Sequence, residues 1–177
     1  MPGFFASPPP HRPRWLTAAW AVLFFAVVFG LVPWYAAVVS DRLGWPRGTS
    51  PVTQAIGGGV VVGALALMLH CSRLFARVGK GTPVPFDPPT ELVTSGVYGV
   101  SRNPIYVGQV AILLGYFLCF GQLGLLLHAV VWALLVQGWI VWVEEPGLRL
   151  RFGTEYVLYT QQVPRWIGMP QRRAPRT

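Results

Sequence analysis

Two short polar segments at the edges of apolar runs carry the residues that could do chemistry. The first runs from Leu92 to Tyr98 and on into Arg102-Asn103-Pro104-Ile105-Tyr106, and the second is Glu144-Glu145, which closes the last apolar run. An arginine, carboxylates and tyrosine hydroxyls together can bind a charged ligand or move a proton. Because the chain is 53% hydrophobic and only 11% charged, such dense polar chemistry at two edges indicates an active site.

Asn103 and Pro104 are typical of the start of a helix. Asn is a favoured N-cap, Pro fits the first helical turn, and the free N–H groups there form the positive end of the helix dipole. A ligand that carries a carboxylate is favoured at such a point. The sequence leaves an alternative open, in which Asn103 only caps the helix, Arg102 contacts lipid phosphate, and Tyr98 and Tyr106 belong to an aromatic belt.

Glu144 and Glu145 follow a long run without charged side chains. On a helix, Gln137 and Glu144 share one face, which could meet Tyr106 and Gln109 of the preceding apolar run and form a polar seam. Glu145 is placed to accept a proton from an amine or to attract an ammonium head group. A solvated surface carboxylate is an equally compatible interpretation of Glu145.

Long apolar blocks position these segments and indicate an integral-membrane protein. Crossing about 30 Å of hydrocarbon takes about 20 helical residues, and a lipid-facing backbone must satisfy its own hydrogen bonds. The predicted fold is therefore an all-α membrane protein with four transmembrane helices and, after them, an amphipathic helix on the membrane surface. The predicted spans are Trp15 to Val39, Val52 to about Cys71, Asn103 to Gly121, and Gln122 to Val143.

The net charge of +8 could suggest a nucleic-acid partner, but the distribution of the basic residues along the chain matches a membrane topology, so no nucleic-acid partner is expected. Basic residues precede the first span, fill the connection between the second and third, and follow the fourth, whereas only Arg42 and Arg47 fall on the opposite side. By the positive-inside rule both termini and the connection over residues 72–102 are cytoplasmic. We expect a multi-pass protein, of a bacterial inner membrane, whose active site faces the cytoplasm.

Four regions follow from these boundaries. Residues 1–14 are a disordered cytoplasmic N-terminus, residues 15–71 hold the first two transmembrane helices, residues 72–167 are the catalytic region, and residues 168–177 are a basic tail. The small residues from Gly57 to Gly63 allow close helix packing, within the chain or between two copies of it. His11, His70 and His128 are too far apart in sequence to predict a metal site.

The ordered motifs resemble the isoprenylcysteine carboxyl methyltransferases and the related membrane phospholipid methyltransferases. The resemblance covers residues 79–167 and implies that S-adenosylmethionine binds between the last transmembrane helices and the cytoplasmic loops, with a lipid acceptor entering from the bilayer. The motifs are Leu-Val-Thr-Ser-Gly-Val-Tyr (92–98), Arg-Asn-Pro-Ile-Tyr-Val-Gly (102–108), Glu-Glu (144–145), Phe-Gly-x-x-Tyr-x-x-Tyr (152–159) and Val-Pro (163–164).

The resemblance also implies which residues hold the cofactor. The predicted cofactor-binding residues are Thr90, Glu91, Leu92, Val93, Tyr98, Asn103, Pro104, Ile105, Tyr106 and Glu144, and the predicted catalytic residues are Arg102, Glu144 and Glu145. Tyrosine rings can cover an adenine or a sulfonium, the helix start can meet the cofactor's carboxylate, and Glu144 can hold its ammonium group.

Two positions depart from the family pattern. Asn103 stands where the usual motif has histidine; it can still form hydrogen bonds but cannot become a cationic donor. Ile140 stands where the prenylcysteine enzymes have an arginine suited to a substrate carboxylate, which favours an amine or another acceptor without a carboxylate. Carboxyl, amine and thiol acceptors all stay open, as do an NADPH-dependent membrane reductase of sterol-reductase-like architecture and a non-enzymatic membrane scaffold.

Overall fold

The computed structural model describes residues 14–79 and 91–168, and the regular secondary structure within these ranges consists of helices, with one isolated bridge between Arg47 and Gln122. Four long helices follow one another, and three of them contain a π-helical turn. The first helix comprises Arg14–Ala26, the π-helical turn Val27–Leu31 and Val32–Arg42; the second comprises Pro51–Leu74 and the π-helical turn Phe75–Gly79; the third is Pro104–Phe120; the fourth comprises Leu123–Trp139, the π-helical turn Ile140–Glu144 and Glu145–Gln162. A short 3₁₀ helix, Gly96–Gly99, precedes the third helix.

Three of these helices are long and apolar enough to cross a membrane, which makes the chain an integral-membrane protein. They are Ala18–Arg42, Pro51–Val78 and Leu123–Gln162, and they coincide with three of the four predicted spans. The third helix is apolar but has only 17 residues. Residues 1–13, 80–90 and 169–177 lie outside the described residues, and with them the predicted N-terminal segment, most of the Pro- and Gly-rich connection and the basic tail.

The helices alternate in direction. The end of the first helix meets the start of the fourth, where the backbone N–H of Gly124 donates a hydrogen bond to the buried Ser40 Oγ at 2.7 Å. The start of the second helix meets the end of the third, where Gly57 lies against Gly115. The start of the third helix and the Glu144 turn of the fourth therefore lie together at the opposite end of the bundle.

Glycines allow the second and third helices to approach closely. A Cβ added at Gly57 would lie 2.7 Å from the carbonyl oxygen of Gly115, which confirms the predicted packing role of Gly57. Cβ atoms added at Gly59 and Gly63 would meet no described atom within 4 Å. The pairing of two copies through this face stays a prediction.

The fourth helix does not end at Val143, the predicted end of the fourth span. The helix continues through Glu144-Glu145 to Gln162 and changes direction only at Gly153, where φ is 52° and ψ is −125°. Pro146 does not interrupt it, because proline is tolerated in the first turn of a helical segment and Pro146 stands in the first turn after the π-helical turn. The predicted amphipathic surface helix is thus the direct extension of the fourth helix.

The close contact at Gly57 gives a stability prediction. We expect Gly57→Ala to lower the free energy of unfolding by about 1–3 kcal/mol, because the new methyl group overlaps a backbone carbonyl that cannot move aside. Gly59→Ala is the matched control: it lies on the same helix in open space, so alanine is expected to leave stability unchanged or raise it by up to about 1 kcal/mol. Denaturation of both variants in detergent measures the difference, and equal stability would contradict this packing.

Candidate functional site

A carboxylate enclosed by two arginines lies at the start of the last helical segment. Glu145 is 6% exposed. Arg102 Nη1 donates a hydrogen bond to Glu145 Oε1 at 3.1 Å, and Arg165 donates from Nε to Oε1 at 2.7 Å and from Nη2 to Oε2 at 3.1 Å. A buried charge is tolerated when it is paired and hydrogen-bonded. The interpretation of Glu145 as a solvated surface carboxylate is therefore wrong.

The neighbouring carboxylate has a different partner. Tyr106 of the third helix donates its hydroxyl hydrogen to Glu144 Oε2 at 2.8 Å, as the predicted polar seam requires. The other two members of the seam bind tryptophans: Trp132 Nε1 donates to Gln109 Oε1 at 3.2 Å, and Trp166 Nε1 donates to Gln137 Oε1 at 3.0 Å. The seam thus links the third helix, the fourth helix and the residues that follow the fourth.

Asn103 stands at the predicted helix start, with Pro104 in the first turn, but its side chain makes no capping hydrogen bond. Instead Asn103 Nδ2 donates to the carbonyl oxygen of Arg165 at 3.0 Å, and its backbone N–H donates to Ser101 Oγ at 3.1 Å. The expected side-chain cap was wrong: the Nδ2 hydrogen bond to Arg165 orients the side-chain amide, and Asn103 Oδ1 accepts no hydrogen bond from the first turn. The first-turn N–H groups of the third helix are consequently not occupied by Asn103.

Arg102 has a hydrogen-bond donor to spare. Its side chain is 11% exposed, and its Nε is buried without a hydrogen-bond partner among the described residues. Nη1 also donates to the hydroxyl of Tyr156 at 3.4 Å. An unpaired buried donor costs about 1–3 kcal/mol, and an anionic ligand that accepted from Nε would remove that cost. Arg102 can therefore hold a carboxylate while Glu145 fixes the far end of its guanidinium.

The loop over residues 92–98 is wedged between two hydrophobic clusters. Val93 and Tyr98 are buried against Cys71 of the second helix, and Leu92 packs against Tyr156 and its neighbours on the fourth. Burial raises the pKa of Tyr98 well above its ordinary value, so its hydroxyl stays protonated. The side chains of Val93 and Tyr98 therefore set the position of this loop.

The other predicted cofactor residues surround the same end of the bundle. Pro104 is buried and Ile105 packs against the Tyr98 cluster, whereas Glu91 is exposed at the beginning of the second described range. Thr90 lies outside the described residues. The structure thus brings Arg102, Tyr106 and Glu144-Glu145 together directly.

Several residues of this site were not predicted from the sequence. Arg165 is the second partner of Glu145, and the buried Tyr159 donates its hydroxyl to the carbonyl oxygen of Tyr98 at 2.7 Å. The signal was the Phe-Gly-x-x-Tyr-x-x-Tyr motif, which puts Tyr156 and Tyr159 on one helical face. Gly153 lets this face turn back onto the loop, because its backbone conformation is reserved almost entirely for glycine.

A sequence model of the phospholipid methyltransferase family matches residues 52–155, more than half of the 177 residues. The chain belongs to this family. The match includes the second helix, which the sequence motifs alone had not linked to the family, and it ends before Tyr156 and Arg165. No curated protein and no solved structure matched the sequence. Membership supports a membrane methyltransferase that acts on lipid-like substrates.

The bend at Gly153 gives a second stability prediction. Gly153→Ala should cost about 1–3 kcal/mol, because a side chain at φ 52° and ψ −125° is strained even in open space. Thr154→Ala, at the exposed next position, is the control and should change stability by less than about 0.5 kcal/mol. Denaturation in detergent provides the measurement. If the two variants proved equally stable, the bend would not depend on glycine.

Proposed function

We propose that this chain is an S-adenosylmethionine-dependent methyltransferase that methylates a lipid or another hydrophobic acceptor at the cytoplasmic face of a bacterial inner membrane. The observation that carries the proposal is the Tyr106–Glu144 hydrogen bond beside Arg102, whose buried Nε has no partner among the described residues. These groups combine an acceptor for a cation with a donor for an anion. S-adenosylmethionine carries both an ammonium group and a carboxylate.

The residues present fit this cofactor. Arg102 and the first-turn N–H groups of the third helix would hold its carboxylate, and Glu144 would hold its ammonium group. Tyr106 holds Glu144 through Oε2, which leaves Oε1 to accept a hydrogen bond from the ammonium group of the cofactor. When bound, this cofactor supplies a methyl group that is already activated by the sulfonium. The chain's own residues then need only align the acceptor and exclude water.

The acceptor is best described as an amine head group. Ile140, one helical turn before Glu144, is fully buried and apolar, so it offers no cation to a substrate carboxylate. Both oxygens of Glu145 accept hydrogen bonds from arginines, which suits holding Arg102 in place better than taking a proton. We therefore assign Glu144 to the ligand, Glu145 to the orientation of Arg102, and the acceptor class to lipids with an amine head group.

The proposed topology has four spans, with both termini and the site in the cytoplasm. The alternating direction of the helices supports an even number of crossings, and the 17-residue third helix is at the lower limit of the length needed. Arginines at the site end outnumber those at the other end, which supports a cytoplasmic site by the positive-inside rule. We propose residues 72–167 as the catalytic region, with Thr90 and Glu91 among the residues that bind the cofactor.

Binding of the cofactor product tests the proposal. Calorimetry with S-adenosylhomocysteine on detergent-solubilised protein should show binding, which Glu144→Gln weakens by about 10- to 100-fold, since a hydrogen bond to a charged group contributes about 1.5–3 kcal/mol. Tyr106→Phe should weaken it less, because Glu144 keeps its charge. Tyr116→Phe, on the same helix but towards its other end, is the control and should bind like the unchanged chain.

Three outcomes are possible in the folded protein. Binding that depends on Glu144 supports the proposal. Stabilisation by NADPH without binding of S-adenosylhomocysteine would support a reductase instead. Binding of neither would leave a membrane scaffold as the better description.

A transfer experiment tests the acceptor class. Membranes that contain the protein are supplied with S-adenosylmethionine labelled in its methyl group and with a total lipid extract, and the labelled lipids are identified. We expect the label on nitrogen of a lipid amine. Label released as methanol by mild base would instead identify a methyl ester, and label on sulfur would identify a thiol acceptor; either result would contradict the amine assignment.

A further inference from the structure

The residues that follow the fourth helix lie against the candidate site. We call residues 163–166 the C-terminal strap. The backbone N–H of Arg102 donates to the carbonyl oxygen of Pro164 at 3.0 Å, and the carbonyl oxygen of Arg165 accepts from Asn103 Nδ2 at 3.0 Å. Trp166 Nε1 donates to Gln137 Oε1 at 3.0 Å. The strap thus binds the start of the third helix on one side and the fourth helix on the other.

Arg165 makes the strongest of these attachments. Two of its nitrogens hold the two oxygens of Glu145, and the hydrogen bond to Glu145 raises the pKa of Arg165 above its ordinary value. Such two-pronged contacts fix orientation as well as distance. Glu145 Oε1 is shared, since it also accepts from Arg102. The orientation of the Glu145 carboxylate, which the bidentate contact with Arg165 fixes, therefore determines where the Arg102 guanidinium can bind it.

The same residue acts on the site through its backbone. Its carbonyl oxygen accepts a hydrogen bond from Asn103 Nδ2, which holds an amide that makes no capping bond to the third helix, and Ser101 Oγ donates to the same oxygen at 3.4 Å. Arg165 therefore contacts Ser101 and Asn103, the two sequence neighbours of Arg102, and also Glu145, the carboxylate that binds Arg102. The strap lies beyond the segment that matches the family model, which ends at residue 155.

We propose that Arg165 is a positioning residue of the methyltransferase site: through Glu145 it orients the Arg102 guanidinium, and through its carbonyl oxygen it fixes the orientation of the Asn103 side-chain amide at the helix start that receives the ligand. This proposal rests on the proposed function. In this proposal Arg165 acts through Glu145 and Asn103, its observed partners, and not by contact with the cofactor. Its loss should therefore weaken cofactor binding by misaligning Arg102, without removing any group that binds.

Calorimetry with S-adenosylhomocysteine on the full chain in detergent tests the proposal. We expect Arg165→Gln to weaken binding at least about tenfold, since small misplacements of a positioning group have effects of up to about 100-fold. Arg165→Lys keeps the charge but not the planar fork, so it should recover only part of the affinity. Arg149→Gln is the matched control, because Arg149 is exposed and acts on Glu145 through charge alone.

A double-mutant cycle distinguishes positioning from a general loss of folding. If Arg165 acts through Glu145, then Glu145→Gln with Arg165→Gln should bind no more weakly than Glu145→Gln alone. Trp166→Phe provides a milder variant, which loosens the strap at Gln137 while keeping the aromatic ring; it should reduce affinity by a smaller factor. Size-exclusion profiles and thermal unfolding of each variant show whether it is folded.

The outcomes separate this proposal from the proposed function. Absence of S-adenosylhomocysteine binding by the unchanged chain would overturn the proposed function and, with it, this inference. Normal binding by folded Arg165→Gln, or an equal loss with Arg149→Gln, would overturn the positioning role alone. Additive losses in the double variant would likewise show that Arg165 does not act through Glu145.

Discussion

The arrangement of the site depends on the burial of one carboxylate. Glu145 is removed from water, and a charge in that position needs partners. It finds them in Arg102, before the third helix, and in Arg165, after the fourth. Because these three residues are distant in the sequence, pairing them brings the loop, the fourth helix and the strap to one place. The helix can consequently continue past Glu144-Glu145 instead of ending where the apolar residues stop.

Two neighbouring carboxylates thereby acquire different surroundings. Glu145 has both oxygens engaged by arginines, whereas Glu144 accepts one hydrogen bond from Tyr106. Adjacent residues on a helix point about 100° apart, so the pair reaches two separate partners without competition. Glu145 can stabilise the structure while Glu144 can bind a ligand. The sequence Glu-Glu does not by itself distinguish these two roles.

Backbone geometry supplies the rest of the site. Gly57 lets the third helix lie close to the second, and the bend at Gly153 returns Tyr156 and Tyr159 to the loop. Without the bend, the last part of the fourth helix would run on along its axis. The hydroxyl of Tyr159 could then not reach the carbonyl oxygen of Tyr98. The bend at Gly153 thus allows aromatic side chains of the fourth helix to fix the loop.

The sequence by itself determined the all-helical membrane character, three of the spans, the family and the meeting of Tyr106 with Glu144. Those features depend on composition, on helical spacing and on motifs, which are local properties of a chain. Only the tertiary structure decided that Asn103 binds the strap, that Glu145 is buried and that Arg165 belongs to the site. Each of these is a contact between residues far apart in the chain, and the partner of a polar side chain depends on which acceptor the fold brings nearest.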